Sequence, residues 1–425
     1  MAINDLGILK NQNVKKVIAN FFSLSFLQAT NFIIPLIAIP YLIRVLGDEK
    51  FGLVMFAQVF IQYFMLLVDF GLDYTATREI SIHKNNWSKI NEIFNTVFSL
   101  KVILLLISVF IITIIILLFP QFRFEWELYV LTFGMVIGQI LYPVWLFQGL
   151  EKMKYLMIFN LISKLSFTLL IFIFIQNTSD YLYYAIINSL GYIIAGITSF
   201  VFALFLIKFK LHIPTISKLK KAYNDTVNVF ITNIGVSLYM TSTPFILGIV
   251  TGKNEYVGYY IIAEKTVRGL RYIITPLTQA LYPHFSKLFS EKSLKNSIII
   301  LKKLIFYLSP VLLLLVILLF IFVNELTLFL SGSSNINIIL NIKILSFILI
   351  FGTVNNIIGV LGMINLKMEK YFRNCVLIAG ASNIATCIVL SYFFDDNGAS
   401  VSVLLTEMLL SLLLIYKLYK CYYNV

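Results

Sequence analysis

Apolar runs of roughly twenty residues recur along the whole chain, separated by short tracts that hold most of its charge. A helix rises about 1.5 Å per residue and a bilayer core is about 30 Å thick, so about 20 mainly apolar residues predict one crossing. Twelve such crossings are expected, at residues 20–46, 51–76, 95–119, 128–149, 155–176, 181–207, 225–250, 256–282, 301–323, 338–364, 371–393 and 398–421. The eighth is the least regular, because charged residues interrupt it.

The basic residues test this count, since Lys and Arg gather on the cytoplasmic side of a correctly numbered set of spans. With the N-terminus inside, 23 of the 33 Lys and Arg fall in inner segments and four fall outside, namely Arg44, Lys50, Arg123 and Lys253. A missed or invented span would reverse the side of every later segment and erase the asymmetry. The pattern therefore supports the eighth span and places both termini in the cytoplasm.

Composition agrees. The 425 residues are 60% hydrophobic and 12% charged, against roughly 25% charged in an ordinary soluble domain. A net charge of +13 would suggest nucleic acid as the partner of a soluble chain, but here the basic residues act as topology signals and no nucleic-acid partner is expected. Cys375, Cys387 and Cys421 lie in apolar context without a CxxC, so neither a disulfide framework nor a metal site is expected. The apolar run after the polar start is too long for a signal peptide and lacks a cleavage signature, which keeps the first helix in the mature chain. No phosphate-binding GxxxxGK[ST] loop is found, no cofactor is implied, and coupling to an energy source would have to use an ion or substrate gradient.

The most basic segment, Lys208–Asp225, divides the chain into two six-helix halves, 1–215 and 216–425. A weak repeat accompanies that division. Gly47, Phe51-Gly52 and Ala57-Gln58 lead into the second span, and Gly252, Val257-Gly258 and Ala263-Glu264 lead into the eighth. An even number of crossings per half makes this a parallel repeat about an axis along the membrane normal.

Ionisable groups within the hydrocarbon region cost several kcal/mol unless they face protein or water, and so they mark candidate sites. At 100° per residue Glu264, Arg268 and Arg271 share one narrow helix face, with Lys265 about 100° away. Arg271 lies roughly 22 Å from the outer end of its span. Arginine's planar fork suits a phosphate, so these cations could hold a diphosphate in a cavity; an internal ion-pair cluster with Glu264 is the other reading. Gln58, Gln62, Asp69 and Asp73 form a polar stripe on the second span, where Asp69 and Asp73 either take a coupling proton or cation or sit solvated near the inner end beside Arg78. Lys164 and Glu407 fall near mid-membrane; Lys164 would line the cavity as a further cation, and Glu264 and Glu407 are further carboxylates available for ion coupling. Lys101, Lys343 and Arg44 lie close enough to helix ends to snorkel. Gln28 and Asn31, near Pro35 and Pro40, suggest a kinked first helix that lines the same interior. His83, His212 and His284 lack carboxylates at ligand spacing and are not expected to be catalytic.

Four stretches together carry a family resemblance: SLSFLQATNFIIPLIAIPYLIRVLGDEKFG from Ser23, DFGLDYTATREIS from Asp69, WLFQGLEKMKY from Trp145 and VGYYIIAEK from Val257. They are similar to the O-antigen flippases (Wzx type), in the polysaccharide-transporter branch of the MOP superfamily. The resemblance implies an all-α, MATE-like V of two six-helix bundles around a cationic central cavity, in the bacterial inner membrane. It implies transfer of an undecaprenyl-diphosphate-linked oligosaccharide from the cytoplasmic to the periplasmic leaflet by alternating access, with H⁺ or Na⁺ as coupling ion. A polysaccharide polymerase, a chain-length regulator and membrane lipid are the implied partners. Lys265, Arg268 and Arg271 lie where such a family places cationic lumen residues.

Two alternatives remain open. A multidrug or metabolite antiporter would share the fold but should place carboxylates rather than cations in its lumen. A membrane O-antigen polymerase or ligase would also be polytopic and basic, but the outer segments here are short.

Overall fold

A computed structural model describes the backbone of residues 12–423 other than 209, 211, 292 and 293. Side chains are described for these residues except 12–36, 228, 232, 236, 238–240, 272–277, 279–280, 282–284, 287–288, 290–291 and 294. Among the described residues the protein is helical and contains no strand. In order come α1 (Gln12–Asp69), α2 (Leu72–Ile82), α3 (Trp87–Leu118), the short α4 (Pro120–Arg123), α5 (Trp126–Ile140), α6 (Val144–Gly149), α7 (Met153–Phe174) and α8 (Tyr181–Leu206). After the linker come α9 (Ile216–Met240), α10 (Ser242–Thr251), α11 (Asn254–Glu291), α12 (Leu294–Ser331), α13 (Ile336–Ser346), α14 (Ile348–Asn356), a π-helical stretch Ile357–Met363 and α15 (Glu369–Tyr423).

Eight stretches among the described residues are long and apolar enough to cross a membrane, which makes this a multi-pass membrane protein. Two of the helices run on through a turn expected between spans. In α1 the chain leaves helical dihedrals at Gly47, between the first and second expected spans. In α15 it leaves them at Phe394 and Asp395. The seventh and eighth expected spans correspond to α9 with α10 and to α11, which carry more polar residues.

The chain forms two compact units. The first holds the described residues up to Ala38 together with Ala57–Asn233; the second holds Ile39–Phe56 and the chain from Ile234 onward. In the first, Phe94, Trp145 and Phe200 stack around buried Ile80, Leu146 and Phe147. Lipid is as apolar as these side chains, so helix association also needs close backbone contact and polar bonds. The Gly134–Gly138 pair on α5 supplies the contact, since a Cβ on Gly138 would overlap the Tyr192 backbone of α8. Ser189 of α8 adds a bond, donating to the Leu131 carbonyl at 2.6 Å. Asn91 and Asn95 of α3 grip the linker: Asn91 donates to Ile207 O and accepts from Lys210 N, both at 2.9 Å, and Asn95 donates to Lys210 O at 3.0 Å. The side-chain amides thus replace the partners that an irregular backbone would otherwise lack.

In the second unit the same device recurs around buried Asn383 of α15, which donates to Thr243 of α10 at 3.0 Å and accepts from Thr406 at 3.2 Å. The two turns of the sequence repeat meet in this unit. Gly47 and Gly252 both have positive φ, 73° and 64°, with ψ of 167° and 9°. Gly52 and Gly258 abut: a Cβ on Gly258 would lie 3.3 Å from the Gly52 Cα, and one on Gly52 would overlap the Asn254 carbonyl. Tyr259 closes the contact by donating to Asp48 Oδ2 at 2.9 Å.

That contact yields a contrast between two glycines of the repeat. Gly52→Ala should force the turns apart and cost about 2 kcal/mol or more. Gly252→Asn, at a left-handed helical position (φ 64°, ψ 9°) with nothing within 4 Å of its Cβ, should cost less than about 1 kcal/mol. Thermal unfolding followed by size-exclusion chromatography in detergent should rank wild type, Gly252→Asn and Gly52→Ala in that order.

Candidate functional site

One face of α11 gathers the charges that helical spacing predicts. Glu264 and Arg268, one turn apart, pair at 2.8 Å. Arg271, a further turn along, reaches α15, where its Nη1 lies 3.4 Å from Glu407 Oε1 and its Nη2 donates to the Gly352 carbonyl at 2.8 Å. Glu407 is 5% exposed. Its other carboxylate oxygen accepts from Asn355 Nδ2 at 2.6 Å, and Asn355 in turn accepts from Ser411 at 2.7 Å. A carboxylate so deep requires such partners, because every lone pair left unmatched in low dielectric adds to the cost of burial.

Glu264, Arg268, Arg271 and Glu407, with Val267, Leu345, Ile348 and Val403, line a cavity of about 20 Å³. That is room for about one water. Two guanidiniums face two carboxylates, so the cluster is neutral as a whole, and a diphosphate does not fit in this conformation. Lys265 is not among the lining residues; its ammonium lies 3.9 Å from the Met55 sulfur, on a different face of α11.

The second charged cluster lies in the first unit, at the break between α1 and α2. Phe70 (φ 49°) and Gly71 (φ 74°) leave the helix for two residues, and the chain resumes as α2 with Asp73 in its first turn. Gly71 N donates to Asp69 Oδ2 at 3.2 Å. Lys101 of α3 enters between the two carboxylates, 2.6 Å from Asp73 Oδ1 and 3.5 Å from Asp69 Oδ1. Lys101 is 2% exposed, which overturns the expectation that it snorkels. The reason is the helix start: α3 begins at Trp87 rather than near residue 95, capped by Asn86, which accepts from Lys89 N at 3.0 Å. Lys101 is therefore about 21 Å along the helix, beyond easy reach of either end. It takes the place expected of Arg78 beside the two aspartates.

Gln58 donates to the Tyr184 hydroxyl at 3.0 Å, and Gln62 is exposed. Lys164 is half-buried on α7 at helical spacing from Asn160 and Thr168, which gives that helix a short polar stripe. The Gln28 and Asn31 side chains lie outside the described residues. Arg44 donates to the Phe329 carbonyl, and Lys343 lies 5.8 Å from the centre of the Phe320 ring.

Sequence reasoning missed Asn355, Ser411, Gly352 and Lys101 as partners. The first three carry no charge. Lys101 stands 28 and 32 residues from Asp73 and Asp69, a separation without local signal. An earlier N-cap reading at Asn86 would have given its depth.

Comparison with known proteins places these features. The family model described as "Polysaccharide biosynthesis protein" matches residues 17–289. A protein of Escherichia coli (strain K12) named "Putative O-antigen transporter" is 28% identical over 408 residues, covering 95% of this chain and 97% of that one. The lipid II flippase MurJ in an inward closed conformation superposes with a TM-score of 0.70 at 15% identity, covering 96% of this chain and 87% of that one. An inward-facing multidrug resistance MATE family transporter of the MOP superfamily gives 0.66 at 15% identity, with 95% and 98% covered. At such identities the two structures show the fold alone, one that this chain shares with both of them. The family-model match covers well over half of the sequence and agrees with the four stretches noted from it, so the chain belongs to the polysaccharide biosynthesis protein family.

Proposed function

We propose that this protein is a flippase that carries an undecaprenyl-diphosphate-linked oligosaccharide, an O-antigen or related repeat unit, from the cytoplasmic to the periplasmic leaflet of the bacterial inner membrane. The observation that carries the reading is the pair Arg268 and Arg271 on one face of α11, each held by a carboxylate. Arginine binds phosphate bidentately, as it binds carboxylate, so a diphosphate competes directly with Glu264 and Glu407 for the same donors. Substrate binding is then an exchange of ion pairs. Alternating access opens the water-sized cavity enough for the exchange and closes it afterwards, and the released carboxylates hold the coupling proton or cation. Asp69 and Asp73 form a second coupling candidate, with Lys101 as their resident counter-charge. Lys265 and Lys164 are further cations for the substrate, and Gln28, Asn31, Gln58 and Gln62 are polar groups for its sugar.

Twelve crossings in two halves, 1–215 and 216–425, with both termini cytoplasmic, complete the proposal; the 23-to-4 distribution of basic residues supports the orientation. The mechanism needs no covalent step, and no residue is assigned to catalysis. A polymerase and a chain-length regulator would act on the product at the periplasmic face. The MATE-like fold keeps a small-molecule antiporter as the second reading.

Arg268→Ala and Arg271→Ala should each abolish surface polysaccharide while the protein remains in the membrane. Removing one member of a buried pair strands the other at about 3–5 kcal/mol, so the double variant Arg271→Met/Glu407→Gln separates fold from function. It should keep membrane abundance near wild type and still lose at least about tenfold in transport, as the loss of a charge-assisted pair predicts. Full glycan display by that double variant would remove the phosphate-binding role. Reconstituted protein should flip a defined lipid-linked sugar in proteoliposomes, and imposed proton and sodium gradients identify the coupling ion; export of a cationic dye instead would favour the antiporter.

Orientation has its own measurement. In a background lacking Cys375, Cys387 and Cys421, a cysteine at Asn177 or Ser333 should react with an impermeant thiol reagent added outside whole spheroplasts, and one at Ser217 should not.

A further inference from the structure

One cavity of the first unit is not at either charged cluster above. It lies between α2, the start of α3 and the start of α9, and measures about 600 Å³. Three helices send cations into it: Arg78 from α2, Lys89 from α3, and Lys218 and Lys221 from α9. The grip of Asn91 and Asn95 on the linker fixes where α9 begins and hence where its lysines stand.

The charges are unequally committed. Glu92 holds two of the lysines, with Lys89 Nζ at 3.0 Å and Lys218 Nζ at 3.1 Å. Glu79 lies 3.9 Å from His83 on its own helix. Among the described residues the side chains of Arg78 and Lys221 make no ion pair, and Asp225 is the carboxylate left beside them. The floor between the cations is apolar, formed by Leu72, Ala76, Ile93 and Val97, and the Thr75 and Thr226 hydroxyls meet there at 3.2 Å.

The elements that line the cavity also carry bare apolar side chains. Ile213 and Ile216, at the linker end of α9, are 91% and 83% exposed, and Tyr74 and Ile82 of α2 and Trp87 at the start of α3 are exposed as well. Apolar and aromatic side chains left bare beside lysines mark the headgroup level of a bilayer, where an acyl chain covers the former and a phosphate meets the latter. Four cations and three carboxylates line the cavity, and the net charge of +1 above an apolar floor matches one phosphodiester with a glyceryl stem.

We propose that this cavity is a binding site for the phosphate headgroup of an anionic phospholipid of the surrounding bilayer, with Arg78 and Lys221 as its phosphate-binding cations and Ile213 and Ile216 as the edge against which its acyl chains lie. The site uses residues of the first unit alone and does not depend on which leaflet it faces or on what the protein transports.

Native mass spectrometry of the delipidated full-length protein tests this with phosphatidylglycerol, phosphatidylcholine and undecaprenyl diphosphate as probes. Phosphatidylglycerol should be retained and phosphatidylcholine should not. A basic residue near a lipid surface is worth about 1 kcal/mol, so Arg78→Gln and Lys221→Gln should each weaken retention about fivefold and the double variant about 25-fold. Arg78→Lys should stay within about twofold of wild type, and Lys420→Gln, at an exposed lysine that is not among the residues lining the cavity, should change nothing. Equal retention of both phospholipids by wild type overturns the proposal, as does wild-type retention by the double variant. Displacement of phosphatidylglycerol by an equimolar amount of undecaprenyl diphosphate also overturns it, reassigning the site to a polyprenyl substrate. If the double variant does not fold, the lipid comparison on the unmodified protein and the Arg78→Lys variant still decide. Because the readout is binding, loss of this site and failure of the flippase reading give different results.

Discussion

A charge without a partner in hydrocarbon costs several kcal/mol, and that cost dictates the company kept by the deepest charges of this chain. Arg271 spans from α11 to Glu407 on α15 and completes its donors on the Gly352 carbonyl. Lys101 spans from α3 to the α1–α2 break, where two aspartates wait on either side of a left-handed pair of residues. In each case the ion pair ties together helices that have little hydrophobic reason to associate in lipid. In each, too, removing one partner harms more than removing both. The pairs are therefore fixtures of the fold and, because their groups keep their charge only in company, they are also the places where a charged ligand is most strongly felt.

The unequal legibility of the sequence has the same origin. Spans follow from the length of apolar runs, and Glu264, Arg268 and Arg271 follow from a helical wheel, because both are local properties. The pairing of Glu264 with Arg268 is readable at four residues' separation, but Glu407 is 136 residues from Arg271, and nothing local says which helix will lie opposite. Lys101 shows how an error in a boundary becomes an error in chemistry. Its hydropathy neighbourhood suggested a residue near a helix end, whereas the Asn86 cap starts α3 early and carries the ammonium deep. The uncharged partners, Asn355 and Ser411, are invisible in advance, because an amide in a membrane helix signals only that some neighbour is polar.

The repeat is a different case: the sequence carried the signal but not its use. Gly47, Gly52, Gly252 and Gly258 recur in corresponding positions, and a recurrence of that kind reads as duplicated ancestry of the halves. Their geometry adds a contact between the copies. The first glycine of each set turns the chain, and the second brings the two turns so close that a Cβ on Gly52 would overlap backbone and one on Gly258 would be tight at 3.3 Å. A constraint shared by two copies accounts for the survival of glycine at both when so much else in the halves has diverged.

An asymmetry of acid and base bears on the cargo proposed for the α11 cluster. At rest it holds two guanidiniums and two carboxylates and is neutral. An anion that enters takes the arginines and strands the carboxylates, which a proton can neutralise. A cation that enters takes the carboxylates and strands the arginines, and a guanidinium has no neutral form within reach in a protein. The first exchange has a route by which the low-dielectric interior is relieved of charge, and the second has none. On the proposed flippase function, arginine paired with glutamate would therefore favour a phosphate-bearing cargo over a cationic drug through what becomes of the displaced partner, and a proton would be the coupling ion that the carboxylate accepts.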